Sequence, residues 1–350
     1  MQPMLRAACA KLTRMLSEHD DRARMGFGCV RLGSASGGGS WRSQVRLVQH
    51  AIDVGVTTFD TADAYGNGLS EQIIGRAMHG RRSQVEIATK VGYEFRERSL
   101  SAHTMARFAR PALRGVRSVR SRSASNEQSR DTASVTGGAY SAQDFSPEYI
   151  RRAVDASLRR LGTDYLDTLQ LHGPRAVFLD VVDEVARLKR AGKIRRFGIG
   201  AESLDSAIEW LQIDGVDTVQ VPFGVLDPQA ATTVLPLASS CGVEVWARGV
   251  LGGGLLSMAM ASDTRLTTVE KWPLISELMA IATRHGVQVV KLAVEYVRSF
   301  PGVAVVLLGI QSEEHLSDNV AIMSSPTVDS SAIDDVTSVL GRWADDHEIR

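Results

Sequence analysis

The chain has 350 residues, 44% hydrophobic and 23% charged, with 40 basic and 40 acidic side chains. That balance describes an ordinary soluble globular protein, carries no charge signal for nucleic acid or a membrane surface, and leaves no apolar run long enough to span a bilayer. Three cysteines, Cys9, Cys29 and Cys241, are odd in number and lack metal-ligand spacing, which fits a reducing cytosol better than a disulfide framework.

Residues 1–24 read as a loose N-terminal extension outside the fold. Leu5, Leu12, Met15 and Leu16 recur at helical spacing among Arg6, Lys11 and Arg14, without the apolar core or cleavage site of a secretory leader. From Met25 onward, short β-rich runs alternate with helical patterns. Strands are expected at Gly26–Val30, Thr57–Thr61, Glu86–Lys90, Thr168–His172, Arg196–Gly200, Thr218–Pro222, Glu244–Arg248 and Val303–Gly309. Helices are expected at Gln44–Val54, Glu71–Met78, Pro147–Arg160, Phe178–Ala191, Leu204–Gln212 and Gln229–Ser240. Strands that nearly all lead into helices argue for repeated right-handed βαβ units. A single α/β domain over 25–350, a (β/α)8 TIM barrel with an extra C-terminal helix, is the simplest packing, and in that fold chemistry sits where strands end.

One segment breaks the rhythm. Between the third strand and its helix, residues 93–145 form a long insertion with eight arginines from Arg96 to Arg122, followed by a Ser/Gly/Ala-rich stretch. It reads as a lid above the catalytic rim, as a site for an anionic substrate or partner, or as a solvated insertion. Met105, Phe108, Leu113 and Val116 are spaced for an amphipathic helix.

Chemistry concentrates in two runs, Phe59-Asp60-Thr61-Ala62-Asp63-Ala64-Tyr65-Gly66 and Ala88-Thr89-Lys90-Val91-Gly92. They set an acid, a phenol and an amine at the ends of successive strands. A phenol, with an ordinary pKa near ~10, donates its proton more readily beside an ammonium. An aspartate keeps that ammonium in place and charged. The trio suits protonation of a carbonyl oxygen while another group delivers hydride. Taken singly, each has a structural reading: a helix cap, a surface turn and a solvated strand end. His172, at the end of the fourth strand, falls on the same rim.

Together these runs resemble the signature of the aldo-keto reductase superfamily. The resemblance extends over roughly 25–319. Ala153-Val154-Asp155-Ala156-Ser157-Leu158-Arg159-Arg160-Leu161-Gly162-Thr163-Asp164-Tyr165-Leu166-Asp167, Leu169-Gln170-Leu171-His172, Gly252-Gly253-Gly254-Leu255-Leu256 and Leu316-Ser317-Asp318-Asn319 also match its landmarks. The resemblance implies a catalytic tetrad of Asp60, Tyr65, Lys90 and His172, with Tyr65 as general acid/base, Lys90 held by Asp60, and His172 orienting the carbonyl. No metal is required. It implies a nicotinamide cofactor lying across the barrel mouth: Gln220 at the carboxamide, Leu251, Gly252 and Gly254 at the pyrophosphate, and Gly309, Gln311, His315 and Asn319 around the adenosine end.

Departures from the family pattern qualify these expectations. The usual Gly-Val-Ser-Asn after the fifth strand is Gly198-Ile199-Gly200-Ala201, so both carboxamide-gripping side chains are missing. The stacking tyrosine of the seventh strand is Arg248, whose guanidinium plane can stack in its place. The lysine and arginine that grip a 2′-phosphate in many members are Gly309 and His315, so the strongest phosphate forks are absent. NADP(H) is the family default, and NAD(H) stays open. The expected activity is a cytosolic NAD(P)-dependent oxidoreductase interconverting a carbonyl (aldehyde, ketone or aldose) and an alcohol, with a small carbonyl or sugar substrate. The alternative is a cofactor-binding regulatory protein with little turnover. Trp272 and Trp343 are candidates either for an apolar wall of the pocket or for packing beneath a loop.

Overall fold

A computed structural model describes residues 23–34, 39–98, 142–261 and 263–346. Most of the N-terminal extension and the centre of the arginine-rich insertion, including the amphipathic pattern at 105–116, lie outside the described residues. Eight strands succeed one another: β1 (Arg24–Gly28), β2 (Thr58–Asp60), β3 (Glu86–Val91), β4 (Leu166–His172), β5 (Ile194–Gly200), β6 (Thr218–Pro222), β7 (Glu244–Arg248) and β8 (Val303–Gly309). They run parallel in chain order and close into a barrel, as the strand-helix alternation predicts. Helices α1 (Trp41–Asp53), α2 (Leu69–Ala77), α3 (Pro147–Leu161), α4 (Leu179–Arg190), α5 (Leu204–Trp210) and α6 (Val234–Cys241) follow the first six strands in turn. Three helices, α7 (Leu255–Met260), α8 (Trp272–Arg284) and α9 (Val289–Arg298), separate β7 from β8. After β8 come α10 (Glu313–Ser324) and the extra C-terminal helix α11 (Ser330–Asp346).

The local chemistry explains these bounds. In α1 the Ser40 hydroxyl accepts the Ser43 N–H at 3.2 Å, and Gln44, Leu47, Val48, Ala51 and Ile52 form the buried face. In α3, Ser146 caps the Tyr149 N–H, Pro147 opens the helix, and Gly162 ends it. The helix expected at Gln229–Ser240 divides into a 3-10 turn, Gln229–Ala231, and α6. Pro236 causes the break: it has no N–H for a bond to Thr232, and its ring crowds that carbonyl. The first strand lies two residues earlier than expected, and α5 stops two residues sooner.

Two compact units divide the chain. The first, Gly26–Glu202 with Gly309–Val320, carries β2 to β5 and most of β1. Its core holds the fully buried Phe27, Phe59 and Phe197, with the Phe27 and Phe59 rings stacked at 5.5 Å. Helix α2 meets α3 where Gly75 approaches the chain end of α3; a Cβ there would lie 2.5 Å from the Leu161 carbonyl oxygen. The second unit, Ser203–Leu308 with 23–25 and 321–346, is built around Trp246, Trp210 and the ring cluster Phe223, Tyr296 and Phe300. Within it, Asp335 of α11 takes His285 and Arg284 of α8 at 2.9 and 2.7 Å. No helix among the described residues is long and apolar enough to cross a membrane.

Candidate active site

β2 and β3 pair in parallel with Asp60 opposite Ala88. The ladder continues past the end of β2 through Thr61 N–H to Ala88 O (2.8 Å) and Asp63 N–H to Lys90 O (2.9 Å). This pairing brings the Lys90 ammonium onto Asp60: Nζ donates to Oδ1 at 2.5 Å and to the Thr61 carbonyl at 3.1 Å. Both side chains are buried, Lys90 at 2% and Asp60 at 6% exposure. An ion pair this far from water depends on mutual geometry and hydrogen bonding, and here both are present.

Tyr65 follows in a 3-10 turn, Tyr65–Gly68, whose shape is dictated by Gly66. Its φ is +58°, and a Cβ would sit 2.9 Å from the backbone of Gly33, so any side chain at 66 is both strained and blocked. The turn therefore buries the tyrosine instead of displaying it. Lys90 Nζ lies 5.5 Å from the centre of the Tyr65 ring. The third partner arrives from β4, where Lys90 pairs in register with Gln170, two residues before His172. The His172 and Tyr65 rings meet edge to face at 5.7 Å. The structure thus brings Asp60, Tyr65, Lys90 and His172 into one cluster.

Sequence reasoning missed two side chains on this cluster. The Tyr93 ring packs edge to face on His172 at 4.9 Å. Gln143 donates from Nε2 to the carbonyls of His172 and Gly173, both at 3.0 Å. Fifty residues separate Tyr93 from Gln143, and the chain pattern offers no hint that they pair; only the strand ending at Lys90 and the helix opening at Pro147 bracket them. A further buried network joins α2, β3 and α3. Glu71 accepts from Arg160 Nε and from Thr89 Oγ1, each at 2.6 Å. Burial first, and the neighbouring Glu71 second, push the Asp63 carboxyl well above the usual range, against the opposing pull of Arg160 and the Ala64 N–H. Cys29 is buried beside the Asp60–Lys90 pair, and burial raises its thiol pKa.

The residues expected at a nicotinamide cofactor fall in both units. In the second, Gln220 is buried at the centre of β6 and its Nε2 has no hydrogen-bond partner. A buried amide donor left unpaired is costly, and an acceptor such as a carboxamide oxygen fits it. Leu251 leads into the turn Gly252–Gly254, where all three glycines take positive φ (+59°, +66° and +103°). Arg248 ends β7, partly exposed. In the first unit, Gly309 ends β8 in the open, Gln311 follows, and His315 and Asn319 stand one turn apart on α10. Ser312 caps this helix by accepting the His315 N–H at 3.2 Å. Gly200 ends β5 and the buried Ala201 follows it. Trp272 and Trp343 are each partly buried, on α8 and α11.

Aldo-keto reductase YhdN of Bacillus subtilis (strain 168) is 26% identical to this chain over 343 residues, covering 91% of the chain and 90% of the relative. An NADH-specific methylglyoxal reductase of Escherichia coli (strain K12) is 26% identical over 335 residues, covering 89% and 92%. Among solved structures, the holo form of aldo-keto reductase AKR11C1 from Bacillus halodurans superposes with a TM-score of 0.69 at 25% identity, covering 91% of this chain and 92% of that one. The model of the Aldo/keto reductase family matches residues 24–340, and the chain belongs to that family.

Proposed function

We propose that this aldo/keto reductase, an NAD(P)-dependent oxidoreductase, interconverts a small aldehyde, ketone or aldose and the corresponding alcohol, with Tyr65 as the general acid/base. One observation carries the assignment: a buried ammonium, fixed by Asp60 at 2.5 Å, lies 5.5 Å from the Tyr65 ring. As Tyr65 passes its proton to the substrate oxygen, negative charge develops on the phenol oxygen. A fixed cation in a buried site stabilises that charge far more than water-exposed lysine would, and needs no reorganisation to do so. In the oxidative direction the same pair favours removal of the alcohol proton. His172, beside the phenol, orients the carbonyl.

When bound, the nicotinamide supplies or accepts the hydride. Gln220 would hold its carboxamide, Arg248 would lie along the ring, and Leu251, Gly252 and Gly254 would meet the pyrophosphate. Gln311, His315 and Asn319 would take the adenosine end. With Gly309 and His315 where a 2′-phosphate is often gripped, NADH is a credible partner beside NADPH. The NADH-specific relative is consistent with that choice.

The test follows cofactor absorbance with a panel of methylglyoxal, glyceraldehyde, simple ketones and aldoses, in both directions and with each cofactor. Turnover of at least one compound, abolished in Tyr65→Phe, is expected. Tight cofactor binding with no turnover of any of them would contradict the proposal and favour a regulatory protein.

A further inference from the structure

Both described ends of the long β3–α3 connection reach the orienting histidine or its backbone, and the outgoing end also bonds to the turn that carries the proposed acid. Where the chain leaves β3, Tyr93 forms an antiparallel bridge with Gln143, the residue with which it returns. Glu94 N–H to Ala142 O (3.2 Å) and Asp144 N–H to Gly92 O (2.9 Å) extend this pairing. The Tyr149 hydroxyl on α3 ties the bridge down by donating to the Tyr93 carbonyl at 2.6 Å. From this knot two side chains reach β4. Gln143 fixes the carbonyls of His172 and Gly173, and Tyr93 lays its ring on the imidazole. The Gln143 side chain also bonds the Tyr93 phenol, whose pKa is raised by burial first, so it stays protonated.

The outgoing segment is bonded to the turn and helix that follow Tyr65. Arg98 N–H donates to Asn67 O at 2.9 Å, the Asn67 side-chain amide donates to Arg96 O at 3.2 Å, and Gln72 Nε2 donates to Arg98 O at 2.7 Å. Asn67 belongs to the turn that carries Tyr65.

His172 is thus flanked by two perpendicular rings, Tyr65 at 5.7 Å and Tyr93 at 4.9 Å, with its own backbone carbonyl pinned by Gln143. We propose that Tyr93 and Gln143 are positioning residues that hold the His172 imidazole in the one orientation useful for orienting the substrate carbonyl. This inference rests on the tetrad reading above. Neither residue need touch the substrate. They act through His172, because a reacting group displaced by about 1 Å can cost on the order of 100-fold in rate.

The experiment is a double-mutant cycle on kcat and KM, using whichever panel compound the wild type turns over fastest. Tyr93→Leu should lower kcat about 10- to 100-fold with little change in cofactor affinity, whereas Tyr93→Phe, which keeps the ring, should recover most of the rate. In a His172→Ala background, Tyr93→Leu should cost little more, because residues acting as one unit are not additive. Gln143→Leu provides an independent route should Tyr93→Leu fold poorly, and the same non-additivity is expected.

Full additivity of Tyr93 and His172, or wild-type kcat in both Tyr93→Leu and Gln143→Leu, would overturn the inference. His172→Ala and Tyr65→Phe measured alone separate the two levels. If both lose turnover while Tyr93→Leu and Gln143→Leu do not, only the positioning role falls. If neither loses turnover, or the wild type turns over nothing, the tetrad reading falls and the positioning role with it.

Discussion

Asp60 and Lys90 form a buried pair in which each charge depends on the other, and this decides which substitution tests chemistry cleanly. Removing one member of a buried ion pair costs about 3–5 kcal/mol, because the partner's charge is left stranded. Asp60→Asn and Lys90→Met should therefore lower both kcat and the denaturant midpoint, and an activity loss alone would mean that the pair contributes little to folding. Tyr65→Phe deletes only a hydroxyl, a change of about 1 kcal/mol, so its effect reads out chemistry. Asp63 bears on a different property. Its raised pKa means that the native state keeps a proton that the unfolded chain releases near pH ~4. The native state then binds more protons, so this group's contribution to stability falls as pH rises from there toward its native pKa. Asp63→Asn cannot ionise and should flatten that slope in thermal melts taken from about pH 4.5 to about pH 8. An unchanged slope would show that Asp63 does not carry the proton.

At the scale of elements, position comes from turns as much as from strands. Gly66 turns the chain so that Tyr65 points inward. Gly66→Ala should cost about 1–3 kcal/mol of backbone strain and lower kcat by moving the phenol, with far-UV circular dichroism unchanged; retained activity would show that the turn adapts. Gly309 presents the opposite case, since a Cβ there meets nothing within 4 Å. On the proposed cofactor assignment, Gly309→Lys should tighten NADPH about tenfold by adding a charge-assisted contact, while NADH binding stays as it was. Fluorescence titration with both cofactors checks this, and equal gains for both would contradict it. The strands were legible because each is a local β-rich run, and the gathering of Asp60, Tyr65, Lys90 and His172 was legible because each stands at or just after a strand end. Tyr93 with Gln143, and Glu71 with Arg160, were not, because their partners stand tens of residues apart and the pairing depends on tertiary register. Likewise Pro236 was present in the sequence, yet the break it imposes before α6 appears only once the helix is seen to restart at Val234.

For the molecule as a whole, the barrel topology gathers residues from β2, β3 and β4 at the same ends of their strands, as the strand assignment anticipated from alternation alone. Fold does not fix chemistry; family membership narrows it, and the role proposed for the cluster around Lys90 would make it specific. A ligand that binds only the folded state stabilises it, by about 2.7 kcal/mol at a hundredfold excess over Kd. NADPH or NADH should therefore raise the melting temperature, and a shift with neither would argue against any nicotinamide site. The central claim, that Tyr65 exchanges a proton with the substrate oxygen under the influence of Lys90, is tested most directly by comparing kcat and cofactor Kd of wild type and Tyr65→Phe on the same substrate. The account predicts a kcat lower by about 100-fold or more with cofactor Kd and melting temperature nearly unchanged. A variant that turns over at the wild-type rate would contradict it.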